Sequence, residues 1–146
     1  SVIDKLSRAF GVQAAIRTAI RDGMPVYGTC AGLILLADRI TDGIAGQETF
    51  GGLDVTVQRN AFGSQVDSFE TDLAVPVLGE RPVHAVFIRA PIVRDVGRAV
   101  EAIGTLDDGR VVAVRQGPLL GTSFHPEVSG ETRFHALFLD AVRAAA

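Results

Sequence analysis

The 146-residue chain has no tryptophan and only one cysteine, one methionine and one tyrosine. A single cysteine cannot close an internal disulfide, so the fold must be held by its core. One cysteine and three scattered histidines give no closed ligand set, and neither a metal nor any other cofactor is expected. Excess positive charge is also missing: the formal net charge is −3 with both signs interspersed, which argues against nucleic acid as a partner. No apolar run is long enough to span a bilayer, and no charged-then-apolar leader opens the chain. A cytoplasmic location without membrane contact follows as the expectation.

What is present is the composition of a folded domain, with 47% hydrophobic and 21% charged residues. The length suits one domain, taken as residues 1–146. Ser1 stands where a methionine would begin a gene product and leads directly into helix-like sequence, as if the chain began inside a domain.

Apolar residues Ile3, Leu6, Phe10, Ala14, Ala15 and Ile20 fall at helical spacing, with a break at Gly11. The run Met24-Pro25-Val26-Tyr27 stopped by Gly28 reads as a buried strand, and residues 31–39 return to helix formers. Glycines and polar residues mark 41–52 as a loop. Six short β-rich runs follow, at 55–58, 65–69, 83–89, 99–103, 110–115 and 119–124, with a hairpin signal at Asp107-Asp108-Gly109. A last helix at 131–144 places Phe134, Leu137, Phe138 and Val142 on one face. These elements predict an α/β sandwich on a mostly parallel sheet, with antiparallel strands added in the second half. Such a sheet usually opens with a strand and helix, so at least one further β–α unit, of about 30 residues or more, is expected ahead of Ser1.

Gly28-Thr29-Cys30-Ala31-Gly32 lies where a buried strand gives way to a helix and has the form of a nucleophile elbow. The glycines would leave room for a strained turn, and the amino end of the helix would favour thiolate over thiol at Cys30. The N–H of Ala31 would face the oxyanion formed when Cys30 attacks a carbonyl. A lone cysteine in a turn is more often a small buried residue than a nucleophile, but two glycines at the required offsets favour chemistry.

A cysteine nucleophile needs a base, and the base needs an orienting partner. Of the three histidines, His84 sits in an apolar strand and His135 in the last helix, both with structural roles the simpler reading. His125 differs, because Pro126 and Glu127 follow it. In an extended segment residues two apart project to one side, so the His125 imidazole and Glu127 carboxylate can pair.

Elbow and His-Pro-Glu together resemble the class I, triad-type glutamine amidotransferases. Ile34 stands where most branches of that family carry glutamine. Segments 28–37 (GTCAGLILLA), 59–70 (RNAFGSQVDSFE), 86–91 (VFIRAP) and 124–127 (FHPE) are together similar to the glutaminase subunits of pyridoxal 5′-phosphate synthase, as is 111–117 (VVAVRQG). The resemblance implies a flavodoxin-like sandwich that hydrolyses L-glutamine through a cysteinyl thioester and passes ammonia to a synthase subunit. It implies Cys30 as nucleophile, His125 as base and then acid, Glu127 as its partner, and Arg59, Ile88 and Arg89 as the residues that hold glutamine. Arginine suits the carboxylate of a free amino acid, and Arg89, in an apolar setting, should be paired by ligand or acid. The family's Gly-Gly-Glu-Ser loop, source of a second oxyanion donor, has no counterpart in this sequence. Two alternatives remain open at this stage: an elbow-type cysteine hydrolase or peptidase acting on another amide or ester, and a non-catalytic fragment that docks on the synthase.

Overall fold

A computed structural model of the chain describes residues 11–41, 49–59 and 68–145. Helix α1, Val12–Arg21, starts at Gly11, whose φ of 69° only glycine adopts cheaply, and buries Ile20. The expected helical stretch at 2–10 lies outside the described residues, as do 42–48 of the expected loop and 65–67 of the expected strand.

Strand β1, Val26–Thr29, leads through Cys30 into helix α2, Ala31–Leu36. The helix expected to reach residue 39 stops at Leu36, and Ala37–Thr41 forms strand β2 instead. Pairing overrides local helix preference here. Ala37 is fully buried opposite Leu53, and Arg39 donates to Thr56 Oγ1 and Asp54 Oδ1 on strand β3, Leu53–Gln58, each at 2.8 Å.

Strands β4, Ser68–Leu73, and β5, Val83–Ile88, form a separate antiparallel hairpin sheet, with a 3₁₀ turn at Pro76–Leu78 between them. Strand β6, Ile92–Val96, was not foreseen, because Arg94 and Asp95 interrupt its apolar pattern. Strands β7, Glu101–Thr105, β8, Val111–Gln116, and β9, Leu119–Thr122, complete the main sheet. The turn foreseen at Asp107-Asp108-Gly109 joins β7 to β8, with Gly109 at φ 92° and Leu106 N–H donating to Arg110 O at 2.8 Å. The last helix, α3, spans Arg133–Ala145. Its Phe134 is fully buried and Leu137 and Phe138 partly so, but Val142, expected in the core, is 39% exposed at the outer end of the helix.

The main sheet has the order β1-β9-β8-β6-β3-β2, with β7 also on β8. It is mixed: β1/β9 and β2/β3 are parallel, while β3/β6, β6/β8, β7/β8 and β8/β9 are antiparallel. One face packs Leu33 and Leu36 of α2 on Val55, Val57, Val114 and Leu119; the other packs Phe134 of α3 and Phe87 of the hairpin on Val112, Leu120 and Phe124. An α/β sandwich results, as the sequence suggested, but the sheet expected to be mostly parallel has two parallel and four antiparallel pairings, because β7, β8 and β9 follow one another through short turns rather than helical crossovers. Residues of β9 alternate between these faces, and Gly28 and Gly121, paired across β1/β9, lie under α2. A Cβ on Gly28 would meet the Gly32 carbonyl carbon and oxygen at 2.6 Å, and one on Gly121 would meet Leu33 at 2.6 Å. The two glycines thus let the helix rest directly on the strands, with its amino end at their carboxyl ends.

Candidate active site

Chain segments leaving the carboxyl ends of neighbouring parallel strands emerge side by side, a usual place for a site in an α/β sheet. Here those segments are the Cys30 turn after β1 and the His125 stretch after β9. Cys30 N–H donates to Thr122 O at 2.8 Å, adding one rung beyond the Thr29/Thr122 pair. Cys30 has φ 53° and ψ −106°, a conformation that costs a non-glycine residue roughly 1–3 kcal/mol. The close approach of Gly28 to Gly32 holds that geometry. Only half of the expected crowding is present, however. A Cβ on Gly32 would meet nothing within 4 Å, because this position looks away from the strands.

The thiol is half-buried, with Sγ 3.8 Å from Ile88 O at the end of β5. Burial pushes its pKa up, the Ala31 N–H pulls it back down, and the negative charge of Glu127 raises it further. The expected thiolate preference is therefore overturned. One N–H at the head of a six-residue helix does not outweigh desolvation, so the thiol proton needs a base.

His125 donates its backbone N–H to Val86 O at 3.0 Å, and its Nδ1 lies 2.8 Å from Glu127 Oε1. A carboxylate only accepts, so Nδ1 carries the proton and Nε2 is the acceptor nitrogen of the ring. The pairing foreseen from spacing is present, but the backbone differs: His125 alone is extended, and Pro126–Ser129 is a 3₁₀ turn. Pro126, with its fixed φ, starts that turn in its first position. Beneath it Thr122 Oγ1 donates to Phe124 O at 3.1 Å and lies 3.4 Å from Tyr27 OH. Phe124 is fully buried between Phe87 and Phe134, with ring centroids 5.4 Å from each, and fixes the root of the histidine segment.

Ile88 offers its carbonyl to the thiol and is itself 43% exposed. Arg89 has φ 45° and is exposed, which corrects the expectation of an apolar setting: the chain turns out of β5 there. Arg59 follows β3, its N–H donating to Thr41 O at 3.3 Å. Since Gln58 pairs with Ile92, Arg59 adjoins the stretch that leads from Arg89 into β6, across β6 and β8 from β9. His84 sits on the hairpin between Asp72 (3.1 Å) and Glu70 (3.5 Å), and His135 meets Tyr27 edge-on with centroids 5.6 Å apart. Sequence reasoning missed the Thr122 carbonyl, a main-chain group with no residue-type signal. Among the described residues no cluster of three histidine, cysteine or acidic side chains could hold a metal, and no helix is long and apolar enough to cross a membrane.

Residues 1–144 match the family model of the SNO glutamine amidotransferases. "Pyridoxal 5'-phosphate synthase subunit PdxT" of Clavibacter michiganensis subsp. michiganensis (strain NCPPB 382) is 68% identical over 145 residues, 99% of this chain and 69% of that protein. The protein of the same name from Streptomyces coelicolor (strain ATCC BAA-471 / A3(2) / M145) is 56% identical over 144 residues, 99% of this chain and 71% of the relative. A crystal structure of a glutamine amidotransferase superposes with a TM-score of 0.86 at 46% identity, covering 95% of this chain and 72% of the other. The strained cysteine turn thus stands in a chain whose sequence and fold agree on one lineage, and the protein belongs to the SNO glutamine amidotransferase family.

Proposed function

We propose that the chain is a glutaminase that converts L-glutamine to L-glutamate and ammonia and supplies the ammonia to a synthase subunit making pyridoxal 5′-phosphate. The observation that carries this is the Cys30 elbow, hydrogen-bonded at 2.8 Å to Thr122 on the strand that runs directly into the His125–Glu127 pair. His125 Nε2 takes the thiol proton as Cys30 Sγ attacks the side-chain amide carbon of glutamine. The Ala31 N–H donates to the oxyanion of the tetrahedral intermediate. As that intermediate collapses, the imidazolium returns its proton to the departing nitrogen, releasing ammonia and leaving a thioester. His125 then draws a proton from water, which attacks the thioester and frees glutamate and the thiol. Glu127 holds Nδ1 throughout.

Arg59, Ile88 and Arg89 would hold the amino-acid end of glutamine. The forked guanidinium geometry suits its carboxylate, and the left-handed backbone at Arg89 is the kind of outlier that collects at ligand sites. We place all 146 residues in one amidotransferase domain and the protein in the cytoplasm, where a working thiol stays reduced. The names of the relatives support the partner assignment.

Glutamate release tests this. Wild-type chain with the synthase subunit should release glutamate from glutamine, and Cys30→Ala should release none. Glutamine should also protect Cys30 from an alkylating glutamine analogue. Unchanged release by Cys30→Ala, or no protection, sinks the assignment and leaves another elbow-type hydrolase as the better reading.

A further inference from the structure

The segment carrying His125 and Glu127 is tied along one edge of β5. Strand β4 takes the other edge, from Leu73/Val83 to Ser68/Ile88. On the side away from β4, alternate carbonyls are used in order. Pro82 O accepts from Arg133 Nη2 at 2.9 Å, His84 O from Ser129 Oγ at 2.8 Å, and Val86 O from His125 N–H at 3.0 Å. The next carbonyl, Ile88 O, faces Cys30 Sγ at 3.8 Å. One strand edge therefore gauges both the cysteine and the histidine turn.

Packing does little to place that turn. Of Pro126–Ser129 only Pro126 is buried, and Val128 is 57% exposed. Polar tethers remain. Ser129 Oγ also lies 3.2 Å from Pro126 O, Glu131 N–H donates to Pro126 O at 2.9 Å, and Gly130 N–H donates to Glu127 O at 3.2 Å. At the far end the Arg133 guanidinium grips Glu131 through Nε at 3.0 Å and Nη2 at 2.6 Å while donating Nη1 to Arg81 O at 2.7 Å. Both side chains of that pair are largely buried, at 18% and 10% exposure, and the arginine holds Glu131 down at a pKa of about 2.

We propose that Ser129 and the Arg133–Glu131 pair are positioning residues that fix the height of the His125–Glu127 turn along β5, and so the approach of the imidazole to Cys30. The proposal rests on the glutaminase reading for its substrate, but its geometry does not need one. A tether that fails lets the turn slide along β5. A displacement of about 1 Å between reacting groups is enough to cost up to a hundredfold in rate.

The experiment uses the full chain with its synthase partner and the variants Ser129→Ala, Ser129→Thr and Arg133→Lys, the last keeping the charge and losing the fork. Three quantities are read: kcat and KM for glutamine, the pH profile of Cys30 alkylation by iodoacetamide, and the melting temperature. Ser129→Ala and Arg133→Lys should lower kcat by roughly tenfold or more with KM within about twofold. Their alkylation profiles should move to higher pH, and Ser129→Thr should restore both. Alkylation needs no glutamine turnover, so it reads the tethers even if the substrate proves to be another amide. A wild-type alkylation profile in both tether variants, or a loss of kcat that Ser129→Thr does not recover, overturns the proposal.

Discussion

Gly28 and Gly121 face each other across the parallel pair β1/β9, and α2 rests on both of them. Their missing side chains set the height of Cys30 above the sheet. Gly28→Ala would drive a methyl group to 2.6 Å from Gly32 backbone atoms, which cannot swing aside. The expected outcome is a loss of about 1–3 kcal/mol in stability together with loss of glutaminase activity. Gly32→Ala meets open space inside a helix and should keep the fold or gain up to about 1 kcal/mol. Thermal melts of the two variants check the contrast.

Burial and the charge of Glu127 both lift the Cys30 pKa above its ordinary 9.0. Without its base the thiol should therefore be inert near neutrality. In His125→Asn, the pH profile of Cys30 alkylation by iodoacetamide should lie at higher pH than that of the wild type. Rates measured from pH 6 to pH 10 decide this, and identical profiles would remove His125 from the role of base.

On the outer face of the hairpin, the hydrogen bond from His84 Nδ1 to Asp72 raises the histidine pKa above 6.5, with Glu70 adding to it. A group whose folded value lies above its unfolded one stabilises the fold fully below the unfolded value and loses that effect as pH rises through the folded value. Asp72→Asn should accordingly destabilise the protein at pH 5 and be nearly silent at pH 9. Imidazole NMR titration should show the His84 midpoint falling in the variant.

Four phenylalanines join the hairpin to α3: Phe69 stacks on Phe87 at 4.6 Å, Phe87 meets Phe124, and Phe124 meets Phe134. Phe124→Ala removes the middle of this line and the anchor beneath His125. The expected cost is about 3–5 kcal/mol in denaturant unfolding, with activity falling even where the protein stays folded.

Elbow and His-Pro-Glu were legible in the sequence because each packs its signal into a few adjacent residues. Strand β2 was not, since Leu35, Leu36 and Ala37 read as continuous helix until Leu53, far along the chain, supplies a partner for Ala37. Strand β6 was hidden by Arg94 and Asp95, which point outward from an otherwise buried Ile92-Val93 start. Strand direction was legible only in part: antiparallel strands were foreseen, but not that antiparallel pairings outnumber parallel ones, because pairing direction depends on contacts between distant segments. At the candidate site, residue types foretold the turn at Cys30 and the His125–Glu127 pairing, but not the exposure of Arg89 or the upward push on the thiol pKa. Both of those depend on where the chain turns in space.

The rung from Cys30 to Thr122 also dictates when the site comes into being. During synthesis Cys30 leaves the ribosome long before Thr122, and throughout that interval its N–H lacks the carbonyl that accepts it in the folded protein. Long-range parallel pairing of this kind is slow to form. The cysteine turn is thus completed by a segment made much later, and its last hydrogen bond cannot close until that segment arrives.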